Sequence, residues 1–114
     1  MVSLDVTTRE ISDIAIIKLK GFLNADTCPL FEETLHGFME QKKYKIIVDF
    51  EFLEYISSAG VGCFIGNIKL IRKNGGDIRF LSLPPTIKRV FQLLDFQDFF
   101  QSYDEQHSAF ESFK

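Results

Sequence analysis

Apolar and polar positions alternate at the start of the chain. In VSLDVT, Val2, Leu4 and Val6 are separated by Ser3, Asp5 and Thr7, a period of two that predicts a strand with one buried face. After a polar turn, DIAIIKLKG reads as a longer strand, and the two can form a hairpin. The period then changes. From Thr27 to Gln41, Leu30, Phe31, Leu35, Phe38 and Met39 recur at helical spacing, with Asp26 or Thr27 as cap and Pro29 tolerated in the first turn. KIIVDF is a short continuous apolar run rich in β-branched residues, the pattern of a strand covered on both faces and central in its sheet.

EFLEYI reads as a connection, after which Ser57 or Ser58 caps a second helix. Its apolar positions Val61, Phe64, Ile65, Ile68 and Ile71 keep helical spacing until KNGG ends it. DIRFLSL is another strand. Pro84 and Pro85 break it and open a third helix with Ile87, Val90, Phe91 and Leu94 on one side. FFQSY supplies a final short strand, and DEQHSAFESF a final helix with Ala109, Phe110 and Phe113 facing inward. The resulting order, ββαβαβαβα, means an α/β domain with a largely parallel sheet and one antiparallel member from the opening hairpin. No repeat, linker or low-complexity stretch divides residues 1–114, which read as one domain.

Composition narrows the function classes. A chain that is 46% hydrophobic, with 13 phenylalanines and no tryptophan, belongs to a packed domain. Its net charge of -3 argues against a nucleic-acid face, which needs a surplus of Lys and Arg. MVSLDVTTREISD lacks the features of a secretory leader, and no apolar run nears the roughly 20 residues of a membrane span; the expectation is a cytoplasmic protein without membrane insertion. Cys28 and Cys63 are far apart and make no C-x-x-C pair, so they are expected to be two reduced thiols, with no metal site. His36 and His107 lie on separate helices without a matching cluster. Lys69, Arg72 and Lys73 complement the dipole at the end of the second helix. Phe96, Phe99, Phe100, Phe110 and Phe113 are read as core.

The segment YISSAGVGCFIG, residues 55–66, carries the candidate chemistry. One reading is structural: serine caps a helix, and small residues let it pack closely on a sheet. A second is nucleotide binding by Gly60, Gly62 and Gly66. The Rossmann fingerprint, however, sits directly after its strand with an acidic residue about 20 positions on, and a Walker A lysine is missing. G-x-S-x-G is absent too, which leaves Ser58 without the signature of a hydrolase nucleophile. The third reading is a phosphorylation switch. Unpaired N–H groups and the positive end of the helix dipole stabilise an anion there. A phosphate would add about -1.5 to -2 charge beside Asp49, Glu51 and Glu54, and Ala59, Gly60 and Gly62 would leave the first turn open to a partner.

IIVDFEFLEYISSAGVGCFIGNIKLIRKNGGDIRFLSL resembles the central segment of STAS domains, in particular the single-domain anti-sigma factor antagonists of bacterial partner-switching systems. The shared pattern is an apolar strand ending in Asp, a Ser-rich turn, Gly-Val-Gly, a helix, and Gly-Gly before the next strand. LKGFLNADTCPLFEETL resembles their first strand-to-helix loop, and the resemblance covers nearly the whole chain. It implies a mixed, largely parallel STAS sheet with helices and a binding module, not an enzyme, with no catalytic residue and no cofactor. The phosphoacceptor falls on Ser58, with Ser57 as the alternative. The unphosphorylated form would bind an anti-sigma factor serine kinase and so release a sigma factor. Phosphorylation would end the interaction, and a serine phosphatase would restore it; nucleotide and metal belong to those partners. The implied contact surface is Asn24, Ala25, Asp26, Thr27, Tyr55, Ile56, Ser57, Ser58, Gly60 and Val61. The chain departs from the pattern at Ser57, where many members are acidic, and at Asn24, where Asp is common and Asp26 is a nearby substitute. The other role the family allows is a constitutive STAS subunit of a transporter or stress-signalling complex, with Ser58 unmodified.

Overall fold

A computed structural model describes residues 3–114; Val2, assigned above to the first strand, lies outside the described residues. The elements are β1 (Leu4–Ile11), β2 (Ile14–Leu23), α1 (Cys28–Glu40), β3 (Lys45–Ile56), α2 (Ser58–Lys73), β4 (Asp77–Leu81), α3 (Pro85–Leu93), β5 (Ser102–Tyr103) and α4 (Gln106–Glu111). This is the order read from the hydrophobic pattern. The strands form one sheet, β1-β2-β3-β4-β5. β1 pairs antiparallel with β2, and the later pairings are parallel.

Strand alternation sends side chains to two faces. Ala15, Ile17 and Leu19 of β2, Ile46, Val48 and Phe50 of β3, and Ile78 and Phe80 of β4 belong to the main core, which also contains Phe31 and Leu35 of α1, Phe64 and Ile68 of α2, and Phe91 of α3. Aromatic rings fill its centre, with Phe50 4.6 Å from Phe80 and Phe31 4.8 Å from Phe64 between centroids. Ile14, Ile16, Ile47 and Leu81 point the other way, where Ala109 of α4 covers them with Phe110 and Phe113 alongside. The first half of β3 is therefore covered on both faces, as its continuous apolar run implies. Phe100 is buried and Phe96 packs on the main core, but Phe99 is 41% exposed, its ring lying under the Arg72 guanidinium at 5.1 Å. Leu30 and Leu94, placed above on the apolar stripes of their helices, are exposed.

The largest departure from the sequence reading is the length of β3. EFLEYI is not a connection; it continues the strand to Ile56 beside β2, with Lys20 opposite Phe52 and Leu23 opposite Ile56. Two register shifts, between Lys18 and Lys20 and between Gly21 and Phe22, each give β3 one extra residue. They are bulges, which bend a strand and re-aim its side chains. The amide of Glu51 in the first bulge donates to Asp49 Oδ1 at 3.0 Å. Burial along Phe50–Ile56 consequently recurs every third residue, at Phe50, Leu53 and Ile56, which hides the strand from a search for alternation.

Candidate functional site

The extension of β3 carries the start of α2 to the end of the sheet where β2 turns into α1. The two junctions are joined through Leu23, whose carbonyl accepts from the amide of Ser57 at 3.0 Å. On the α1 side, the Asn24 side chain organises the turn. Its Oδ1 accepts from the amides of Asp26 at 2.9 Å and Thr27 at 3.1 Å, an Asx turn that a carboxylate oxygen would make equally well. Asn24 thus builds the turn through its side-chain oxygen. Thr27 precedes the helix without capping it through its side chain; its hydroxyl donates to Phe22 O at 2.8 Å and accepts from the amide of Asn24 at 3.0 Å.

On the α2 side the two serines have different roles. Ser57 is extended, with φ -93° and ψ 173°, and its Oγ accepts from the amide of Gly60 at 3.1 Å. It is the N-cap. Ser58 is the first helical residue, exposed to solvent, and among the described residues its hydroxyl makes no hydrogen bond. The amides of Ser58 and Ala59 lie ahead of the first intrahelical donor, Val61, which bonds Ser57 O at 3.0 Å. Two unpaired N–H groups at the positive end of a helix are suited to an anion beside them.

The glycines also divide. A Cβ on Gly60 would lie 2.5 Å from Leu23 O and 2.7 Å from Ile56 Cγ1, so close packing of α2 on the strand ends requires glycine there. At Gly62 and Gly66 a Cβ would meet nothing within 4 Å. Gly60 answers to the fold; Gly62, exposed one turn past Ser58, leaves open surface.

Of the residues expected to form the contact surface, Ala25, Asp26, Tyr55 and Ser58 are exposed, and Asn24, Thr27 and Ser57 are half-buried. Ile56, Gly60 and Val61 are buried, and their part is to hold the turn. Phe22 and Phe52 did not figure in the sequence reading. Phe22 packs against Tyr55 with centroids 5.6 Å apart, and Phe52, 49% exposed, lies under Lys18 Nζ at 4.6 Å. Asp49 lines a groove with Thr7, Arg9, Ile16 and Lys18 on the other face of the sheet rather than facing Ser58. Asp13, whose carboxyl is held below its ordinary range chiefly by a hydrogen bond from Lys45, sits at the opposite end of the sheet.

The cysteines overturn the expectation of two separate thiols. Cys28 begins α1 and Cys63 lies in the second turn of α2; the packing of those helix starts puts their Cα atoms 6.3 Å apart with the sulfurs in bonding contact. Glu32, one turn further along α1, brings a carboxylate oxygen within 4.8 Å of both sulfurs. His36 bonds Asn67 Oδ1 at 2.8 Å, and Asn67 Nδ2 donates to Glu32 Oε2 at 2.9 Å, continuing a polar seam between α1 and α2. Nothing in the one-dimensional spacing of residues 28 and 63 signals this pairing, because it depends on two helices meeting.

The family model for the STAS domain matches residues 5–109. A relative from Staphylococcus aureus (strain NCTC 8325 / PS 47), named anti-sigma-B factor antagonist, is 27% identical over 96 residues, which is 84% of this chain and 89% of the relative. The solved structure of the anti-sigma factor antagonist SpoIIAA in its unphosphorylated form superposes with a TM-score of 0.81 at 21% identity, covering 95% of this chain and 96% of that one. The phosphorylated form of SpoIIAA, a Bacillus cell fate determinant, gives 0.73 at 21% identity, with 95% and 99% covered. At these identities the structural likeness is one of fold.

Proposed function

This chain belongs to the STAS domain family, and from that premise we propose that it is an anti-sigma factor antagonist acting by reversible protein binding rather than by catalysis. Unphosphorylated, it binds an anti-sigma factor serine kinase and so releases a sigma factor. Phosphorylation of Ser58 by that kinase ends the interaction, and a serine phosphatase restores it. The setting is the cytoplasm, where kinase and sigma factor meet; among the described residues no helix is long and apolar enough to cross a membrane.

The observation that carries this reading is the division of labour between the two serines. Ser57 is spent on the cap, whereas the Ser58 hydroxyl is exposed and, among the described residues, makes no hydrogen bond. A phosphate on Ser58 would change charge without breaking a bond that holds the fold. The docking surface under this reading comprises Asn24–Thr27 and Tyr55–Ser58, with Phe22 and Phe52 adding apolar area. The added charge of about -1.5 to -2 acts on a partner through repulsion and desolvation. Support also comes from the relatives, several of which are named anti-sigma-B factor antagonists.

The test is capture of the cognate kinase on immobilised protein in three forms: wild type, Ser58→Ala and Ser58→Asp. Retention by the first two and loss by the third is expected. Equal retention by all three forms would sink the reading.

A further inference from the structure

Cys28 and Cys63 connect the two segments that form the recognition end, and both sulfurs converge on the carbonyl of Ala59, at 4.0 Å and 3.6 Å, the residue that follows Ser58. Their Cα separation of 6.3 Å lies inside the span of about 4.4–6.8 Å that a disulfide tolerates without backbone movement. Reduction moves the two sulfurs apart to non-bonded contact, and acceptors stand beside them: Glu32 Oε1 lies 3.7 Å from the Cys28 sulfur and Ala59 O lies 3.6 Å from the Cys63 sulfur, so a thiol at either position has a polar partner within reach. Access is unequal: Cys28 is half-buried, while Cys63 is 3% exposed and is reached mainly through its neighbour.

We propose that Cys28 and Cys63 form a reversible oxidation site, a dithiol that a peroxide converts into a disulfide stapling the start of α1 to the first turns of α2. The Cys28 thiolate attacks the O–O bond of hydrogen peroxide; an S–O bond forms, the O–O bond breaks, and hydroxide leaves and takes up a proton as water. The Cys63 thiolate then attacks the Cys28 sulfenic sulfur. The S–S bond forms, the S–O bond breaks, and a second water departs. Two thiols have lost two electrons and two protons, and the peroxide has been reduced to two waters. A dithiol reductant returns the pair by exchange through a mixed disulfide.

The staple ties the helix turn bearing Ser58 to the helix that follows the Asn24–Thr27 loop. The chemistry of the pair stands without the partner-switching reading; its consequence for kinase access to Ser58 rests on that reading. With the pair closed, opening of the first turn of α2 is restrained, and a kinase needing to draw Ser58 into its own site meets a stiffer substrate.

The full chain, reduced and desalted, is treated with stoichiometric hydrogen peroxide, quenched with N-ethylmaleimide and mapped by mass spectrometry, with amide exchange followed in both forms. The expected product is a monomer lacking two hydrogens, unalkylated, with the Cys28 and Cys63 peptides linked and both thiols recovered by dithiothreitol. Exchange at Gly60–Phe64 is expected to slow by about tenfold or more on oxidation. Full alkylation of both thiols after peroxide, an intermolecular dimer as the main product, or a linked monomer with unchanged exchange would each overturn the proposal. So would stoichiometric zinc retained by the reduced chain that blocks both alkylation and oxidation, since Cys28, Glu32 and Cys63 would then be a metal site. None of these readouts involves a kinase, so they are independent of whether Ser58 is a switch.

Discussion

The Leu23 carbonyl accepts from the Ser57 amide at 3.0 Å and would stand 2.5 Å from a Cβ on Gly60. One backbone oxygen thus sets both the entry of the chain into α2 and the limit on how large the first turn can be. Replacing Gly60 with Ala is expected to cost about 1–3 kcal/mol, the usual range for forcing a methyl group into packed backbone. Gly62→Ala meets open space and replaces a poor helix former, so it should be neutral or gain up to about 1 kcal/mol. Urea unfolding of the two variants separates a glycine held by packing from one that leaves surface open. Equal effects would contradict the assignment.

Adjacent serines give a second contrast. Ser57→Ala removes the acceptor for the Gly60 amide and should lower stability by about 1 kcal/mol, as loss of a helix cap does. Ser58→Ala should leave the unfolding midpoint essentially unchanged, since that hydroxyl is exposed and without a hydrogen bond among the described residues. Thermal melts decide it, and a larger loss at Ser58 than at Ser57 would reverse their roles.

For Asn24, the acceptor bonds from Asp26 and Thr27 predict that Asn24→Asp preserves the turn. Asn24→Ala should cost about 1–2 kcal/mol, on the order of two modest hydrogen bonds. Denaturant unfolding checks stability, and backbone chemical shifts of residues 24–28 check the turn. An aspartate variant as damaged as the alanine one would show that the amide nitrogen, not the oxygen, matters.

Tyr55 is 47% exposed and touches Phe22. Its replacement by Ala should change stability by less than about 1 kcal/mol. A central aromatic contact of a protein interface would nevertheless lose at least about tenfold in affinity for the kinase. Titration calorimetry against that kinase is the measurement. Unchanged affinity would remove the β3 extension from the docking surface.

How much of this was legible beforehand follows from which signals are local. The helical spacing of Phe31, Leu35 and Phe38, the run KIIVDF and the prolines that open α3 each report on one element, and each element is where its pattern put it. The far half of β3 is not legible, because its bulges replace alternation with burial at every third residue and give Phe52 and Tyr55 no strand pattern. Either serine could have capped α2 by residue type; the extended backbone at Ser57 decides it. The meeting of Cys28 with Cys63 is a property of helix packing across 35 residues of chain, beyond the reach of any spacing rule.

Phosphosite mapping by mass spectrometry of the protein isolated from its own cells tests the switch most directly, provided fragmentation resolves Ser57 from Ser58. Phosphate is expected on Ser58 and not on Ser57, in a fraction that changes with growth condition. Phosphate on Ser57, or on neither serine under any condition, would contradict it and leave a STAS domain with a constitutive place in a larger assembly.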